Sequence, residues 1–145
     1  MKNAVIFFDG CCVLCNRFLS FASKRDTDNS LVFSPLDSEL AKSLLKDPTK
    51  LDSVLVFNNG NILDKSDAVI FILKKLQQPW PSLGGVLKIV PRVLRDAGYK
   101  IVANLRYRVF GRYNSCPLEP GRNDKRVIFT IDEYGAYRIK RDKIN

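Results

Sequence analysis

The chain has 145 residues, 46% hydrophobic and 27% charged, an ordinary size and composition for a folded domain, which excludes a disordered tail. It contains no histidine. That excludes Ser-His-Asp and Cys-His catalysis, histidine-ligated zinc and c-type haem attachment, leaving chemistry to Cys, Asp, Lys, Arg and Tyr. The net charge of +9 is uneven, with ten Lys and Arg against nine Asp and Glu in residues 1–80, and fourteen against six in residues 81–145; such asymmetry marks either an anion-binding appendage or a solubilising surface.

A chain of this length buries roughly two thirds of its unfolded surface, so its four cysteines are not needed as staples. No apolar run approaches the roughly 20 residues of a membrane span, and Met1-Lys2-Asn3 leads into only five apolar residues. Neither a span nor a secretory signal is expected, and the expected location is cytoplasmic.

Ala4-Val5-Ile6-Phe7-Phe8, closed by Asp9-Gly10, reads as a strand covered on both faces. From Val13 to Lys24 the apolar residues Leu14, Phe18, Leu19, Phe21 and Ala22 take helical spacing, so the cysteines fall in a tight turn between strand and helix. Leu31-Val32-Phe33 predicts a second strand, and Ser38 to Lys46 a second helix with Leu40, Ala41, Leu44 and Leu45 inward. Val54 to Phe57 and Ile62-Leu63 flank the turn Asn58-Asn59-Gly60-Asn61 and should pair antiparallel. Ser66-Asp67 precedes a helix through Leu76, ending before Pro79-Trp80-Pro81. Residues 83–112 continue as helical stretches broken at Gly84-Gly85 and Pro91, with Ile101, Leu105 and Val109 on one side. Val127 to Ile131 and Ala136 to Lys140 alternate around Asp132-Glu133-Tyr134-Gly135 and suggest a terminal β-hairpin. The expected fold is α/β: a thioredoxin-like βαβα-ββα core over residues 1–80, with a basic helical extension and terminal hairpin over 81–145 packed on the same domain.

Cys12-Val13-Leu14-Cys15 places a C-x-x-C element between strand and helix, the context in which redox chemistry is favoured. Unpaired N–H groups and the positive end of the helix stabilise a thiolate at the first turn. Cys12 is the expected attacking sulfur and Cys15, one turn further in, the resolving thiol. Asp9 stands three residues before Cys12 and has two readings, a cap on the turn or a proton relay for Cys15. Arg17, on the first turns of the same helix, is expected to be solvated. A zinc site completed by Cys11 and Cys116 is disfavoured, because adjacent Cys11 and Cys12 make poor ligands of one tetrahedral ion. No cofactor or metal is expected.

The stretch Asp9-Gly10-Cys11-Cys12-Val13-Leu14-Cys15-Asn16-Arg17 resembles the D-x-x-C-x-x-C signature of the DCC family of predicted thiol-disulfide oxidoreductases. The resemblance continues through Pro35-Leu36-Asp37-Ser38, Asp52-Ser53-Val54, Ser66-Asp67-Ala68, Pro79-Trp80, Asn104 to Arg112 and Cys116. It implies a thioredoxin-like fold with Cys12 and Cys15 as the redox pair and Asp9 as the accompanying carboxylate. It implies no substrate; the cysteine pair itself leads to the expected activity, exchange of the dithiol with the disulfide of a protein or small-thiol partner through a mixed disulfide, with an external electron donor. Two departures stand out. Cys11 adds a third sulfur that could react with the pair or with Cys116, and the cis-proline that thioredoxins place before their third strand is missing near Asp52-Ser53.

Two rival readings rest on particular residues. Phe7-Phe8-Asp9-Gly10 resembles a haloacid-dehalogenase strand end, but Phe7 stands where the nucleophilic aspartate would be. Residues 106–113, Arg-Tyr-Arg-Val-Phe-Gly-Arg-Tyr, alternate basic and aromatic side chains as a non-enzymatic module for nucleic acid or an acidic partner would. The plainer reading is a helix with Val109 and Phe110 in the core and its arginines solvated.

Overall fold

The computed structural model describes residues 4–47, 53–114 and 126–142. Five consecutive apolar residues make β1 (Ala4–Phe8), buried throughout, and the two-residue side-chain period of a strand divides them between two cores. Ala4, Ile6 and Phe8 pack with α1 (Val13–Arg25) and α3 (Lys65–Lys75), while Val5 and Phe7 pack with α2 (Glu39–Leu44) on the opposite face. β1 runs parallel to β2 (Leu31–Pro35) and antiparallel to β3 (Leu55–Asn58), which pairs antiparallel with β4 (Asn61–Asp64). The sheet order is β2-β1-β3-β4. Between β3 and β4, Asn59 and Gly60 both take positive φ, 53° and 85°, the conformation of the two-residue turns that suit the twist of paired strands. A mixed four-stranded sheet with helices on both faces is consistent with a thioredoxin-like α/β fold.

The helix ends follow local chemistry. Ser38 caps α2 by accepting from the Ala41 N–H at 3.0 Å. Asp26, buried at the end of α1, accepts from the N–H groups of Ser30 and Leu31 at 3.1 and 2.9 Å, fixing the entry to β2. No helix among the described residues is long and apolar enough to cross a membrane.

The second half departs from the sequence reading in three places. First, the expected terminal hairpin is replaced by α6 (Ile131–Asp142). Residues 126–129 are extended but run beside β2: Phe33 N–H donates to the Arg126 carbonyl and Ile128 N–H to the Phe33 carbonyl, at 2.9 and 2.8 Å. The helix then starts on a reciprocal cap, with Glu133 N–H donating to Thr130 Oγ1 and Thr130 N–H to Glu133 Oε2, both at 3.2 Å. That T-x-x-E box outweighs the period-two pattern read across it.

Second, α4 (Trp80–Ile89) runs unbroken through Gly84-Gly85. Gly84 is buried against α3, where an added Cβ would stand 3.3 Å from the Ile70 carbonyl oxygen and from Leu73 Cβ, so the glycine serves close helix packing. Third, Val109, read as core, is 67% exposed at the end of α5 (Arg92–Val109), on the same outward side as Ile101 and Leu105 at 60% and 43%. The face carrying Tyr99 and Arg106 is turned inward instead. Arg92 and Arg95 at the start of α5 pair with Asp64 and Asp67 at 3.0 and 2.8 Å, tying it to the β4–α3 junction.

Candidate active site

The turn joining β1 to α1 is held by its own side chains. Asp9 Oδ1 accepts from the Cys11 N–H at 3.0 Å, and Asn16 Nδ2 donates to the carbonyls of Gly10 and Cys12 at 2.7 and 2.8 Å. Cys12 thereby becomes the N-cap of α1, with extended backbone, and its Sγ accepts from the Cys15 N–H at 3.4 Å. A donor aimed at the sulfur from the first turn of a helix favours negative charge there.

Both cysteines are unbridged, and both are buried: Cys12 has no exposed surface and Cys15 is 7% exposed. The cysteine turn, expected between strand and helix, is thus covered rather than open to solvent. The cause is the segment after α5, which folds back over the turn. Arg112 forms a lone antiparallel bridge with Cys12, and Tyr113 N–H donates to the Cys11 carbonyl at 2.9 Å. Gly111, at φ 83°, makes the reversal that lets this strap return. Cys11 is disulfide-bonded; Cys116 lies outside the described residues.

The last turns of α5 bring two residues that the sequence reading did not assign to the site. Arg106 is 5% exposed, against the expectation that the arginines of 106–113 are solvated, and Val109 and Phe110 are exposed rather than core. Arg106 Nη2 donates to the Tyr107 hydroxyl at 3.1 Å, and that hydroxyl donates in turn to Asp9 Oδ2. Both Asp9 oxygens are thus engaged, which realises the cap and ties the turn to α5. Arg17 is exposed, as expected. The signal for Arg106 was its spacing from Tyr99 and Ala103, seven and three residues earlier, which puts all three on one helical face.

The electrostatics follow from this burial. Desolvation, then the hydrogen bond to Cys12 and the charge on that sulfur, push the Cys15 thiol from 9.0 up to about 12, while Arg106 pulls the other way. Burial opposes the Arg106 charge, yet Cys15, Tyr107 and Cys12 together hold it above the ordinary arginine range. Desolvation and the bond to Asp9 push Tyr107 up to about 12. The site can therefore keep Cys15 as a neutral thiol beside a fixed cation.

The thioredoxin comparison also changes at the strand facing the cysteines. Where a cis-proline was expected to be absent, the Val54 N–H ahead of β3 is taken by the Tyr99 hydroxyl at 2.9 Å. Among the described residues the cis peptide is Gln78–Pro79, beyond α3.

The sequence matches the family described as DCC1-like thiol-disulfide oxidoreductase over residues 6–112, which includes the cysteine turn, α5 and the start of the strap. It is 39% identical over 121 residues to "DCC family protein At1g52590, chloroplastic" of Arabidopsis thaliana, covering 81% of this chain and 70% of that one. It is 38% identical over 132 residues to "Uncharacterized protein YuxK" of Bacillus subtilis (strain 168), covering 88% of this chain and 96% of that one. No solved structure shows a significant match.

Proposed function

Because the chain belongs to the DCC1-like thiol-disulfide oxidoreductase family, we propose that it exchanges the Cys12–Cys15 dithiol with the disulfide of a protein or small-thiol substrate through a mixed disulfide. The observation that carries this reading is the Cys15 N–H donated to Cys12 Sγ at the first turn of α1. It makes Cys12 the sulfur best placed to bear negative charge.

The Cys12 thiolate attacks one sulfur of the substrate disulfide. That bond breaks, the leaving sulfur takes a proton, and Cys12 is joined to the substrate. Cys15 then gives up its proton and attacks Cys12 Sγ, forming the internal disulfide and releasing the second substrate thiol. The substrate gains two electrons and the protein loses two, which an external dithiol donor restores. Asp9 is a positioning residue in this scheme, holding the Cys11 N–H and, through Tyr107, the Arg106 guanidinium beside Cys15. Since Cys12 is covered, attack requires the 111–113 strap to lift.

The test is reduction of insulin or glutathione disulfide with dithiothreitol as donor. Cys12→Ser should abolish turnover, and Cys15→Ser should accumulate a mixed disulfide on Cys12, visible by mass. Turnover unchanged in Cys12→Ser together with no trapped adduct in Cys15→Ser would overturn the mechanism.

A further inference from the structure

Beside Cys15 lies a cavity of about 530 Å³ enclosed by α1, α3, α4 and α5, within the roughly 300–1,000 Å³ range of small-molecule sites. Leu14, Val69, Leu87 and Val102 represent its wall, which is almost wholly apolar, and Leu94 and Val102 are also exposed, so it opens to solvent. Three of its polar side chains are satisfied within the protein. The Ser66 hydroxyl donates to Asp96, Arg95 donates to Asp67 at 2.8 Å, and the Tyr99 hydroxyl accepts from Val54.

Arg106 is the exception. It lines the cavity while 5% exposed, and its Nε has no hydrogen-bond partner. Its Nη2 is spent on a tyrosine hydroxyl rather than on a carboxylate. A buried cationic donor without an acceptor is costly, and an acceptor of opposite charge entering from the cavity would offset that cost.

We propose that this cavity binds a small amphipathic anion, its carboxylate or sulfonate head on Arg106 Nε and its apolar chain or ring system along the wall. The site goes beyond disulfide exchange, since binding breaks no bond and requires neither cysteine to react. A head at Arg106 stands next to Cys15, so an occupied cavity shields that thiol from alkylating reagents.

The test is calorimetric titration of the full chain with dodecanoate and with dodecanol, both below micelle-forming concentrations. Saturable one-to-one binding is expected, with dodecanoate about tenfold or more tighter than dodecanol and Cys15 alkylation slowed on saturation. Gly98→Leu should weaken both ligands about tenfold or more, because Gly98 lines the cavity and nothing lies within 4 Å of where its Cβ would stand. Leucine also suits a helix better than glycine, so this variant keeps the test sound if a change at buried Arg106 harms folding. Arg106→Gln should erase the preference for dodecanoate over dodecanol. No saturable binding, equal affinities in the unaltered chain, or full binding by Gly98→Leu overturns the proposal. Any of these with disulfide exchange intact removes the ligand site alone, whereas lost exchange in Cys12→Ser with binding intact leaves it standing.

Discussion

The hydroxyl of Tyr107, in the last turn of α5, donates to the carboxylate of Asp9, 98 positions earlier in the chain. This bond is the polar tie between the cysteine turn and the helix from which the covering strap springs. Tyr107→Phe removes it and strips a partner from Arg106 Nη2 as well. A partly exposed bond to a charged group is worth about 1 kcal/mol net, so the midpoint of urea unfolding should fall by that equivalent. With the strap less firmly seated, alkylation of Cys12 by iodoacetamide should accelerate. Unchanged stability and unchanged Cys12 reactivity would show that the tie holds nothing.

Cys15 carries a pH dependence whose sign is fixed by its direction of shift. Its folded pKa of about 12 lies above the ordinary 9.0 of a free thiol, chiefly through burial. The neutral thiol therefore contributes stability that is intact below pH 9 and lost as pH rises toward 12. Tyr107, raised from 10.0 to about 12, adds to the same alkaline loss. Thermal melts between about pH 8 and about pH 11 should fall more steeply for the unaltered chain than for Cys15→Ala. In exchange assays, resolution of the mixed disulfide should speed up by about tenfold per pH unit below the thiol pKa, since only the thiolate attacks. A flat profile would mean that the proton leaves Cys15 by another route.

The reciprocal cap of α6 predicts the behaviour of the segment beside β2. Thr130→Ala removes the side-chain acceptor for the Glu133 N–H, and Glu133→Ala removes the acceptor shared by the Phe129 and Thr130 N–H groups. Each should cost about 1 kcal/mol, the ordinary value of a lost helix cap. The double variant should cost less than the sum, because the two side chains serve one helix start. Urea titration of the four proteins measures this cycle, and strict additivity would separate the two bonds.

Legibility in the sequence followed how local each determinant is. β1 announced itself as an apolar run, the Asn59-Gly60 turn by its residue types, and the C-x-x-C turn by lying between strand and helix. Each depends on near neighbours. The spacing of Ile101, Leu105 and Val109 puts them on one side of α5 but does not say which side faces the core; the Tyr99 side is fixed by its bond to the distant Val54 N–H. Arg106 itself reads as a solvated charge among charges, since composition carries no sign that a guanidinium will be buried at a cavity shared with Cys15. Gly84 read as a helix breaker because its reason, contact with Ile70 and Leu73 of α3, is tertiary. The cap at Thr130 and Glu133 is also local, and it overrides the alternating pattern that runs across it.

Gly111 separates local opening of the strap from global unfolding. At φ 83° with nothing within 4 Å of an added Cβ, alanine there meets no clash, only the cost of a left-handed backbone, about 1–2 kcal/mol. That cost falls on the seated strap and is relieved when residues 111–113 lift, so Gly111→Ala should raise the population of the open form by about five- to thirtyfold. Cys12 alkylation should quicken by a similar factor, while the unfolding midpoint of the core moves little, because the strap opens below the global free energy. Gly98→Ala is the matched control. It sits within α5, also with open space around its Cβ, and should raise stability by about 0.5–1 kcal/mol without changing Cys12 reactivity. If Gly111→Ala leaves Cys12 as unreactive as before, the reversal at Gly111 is not what governs access to the sulfur.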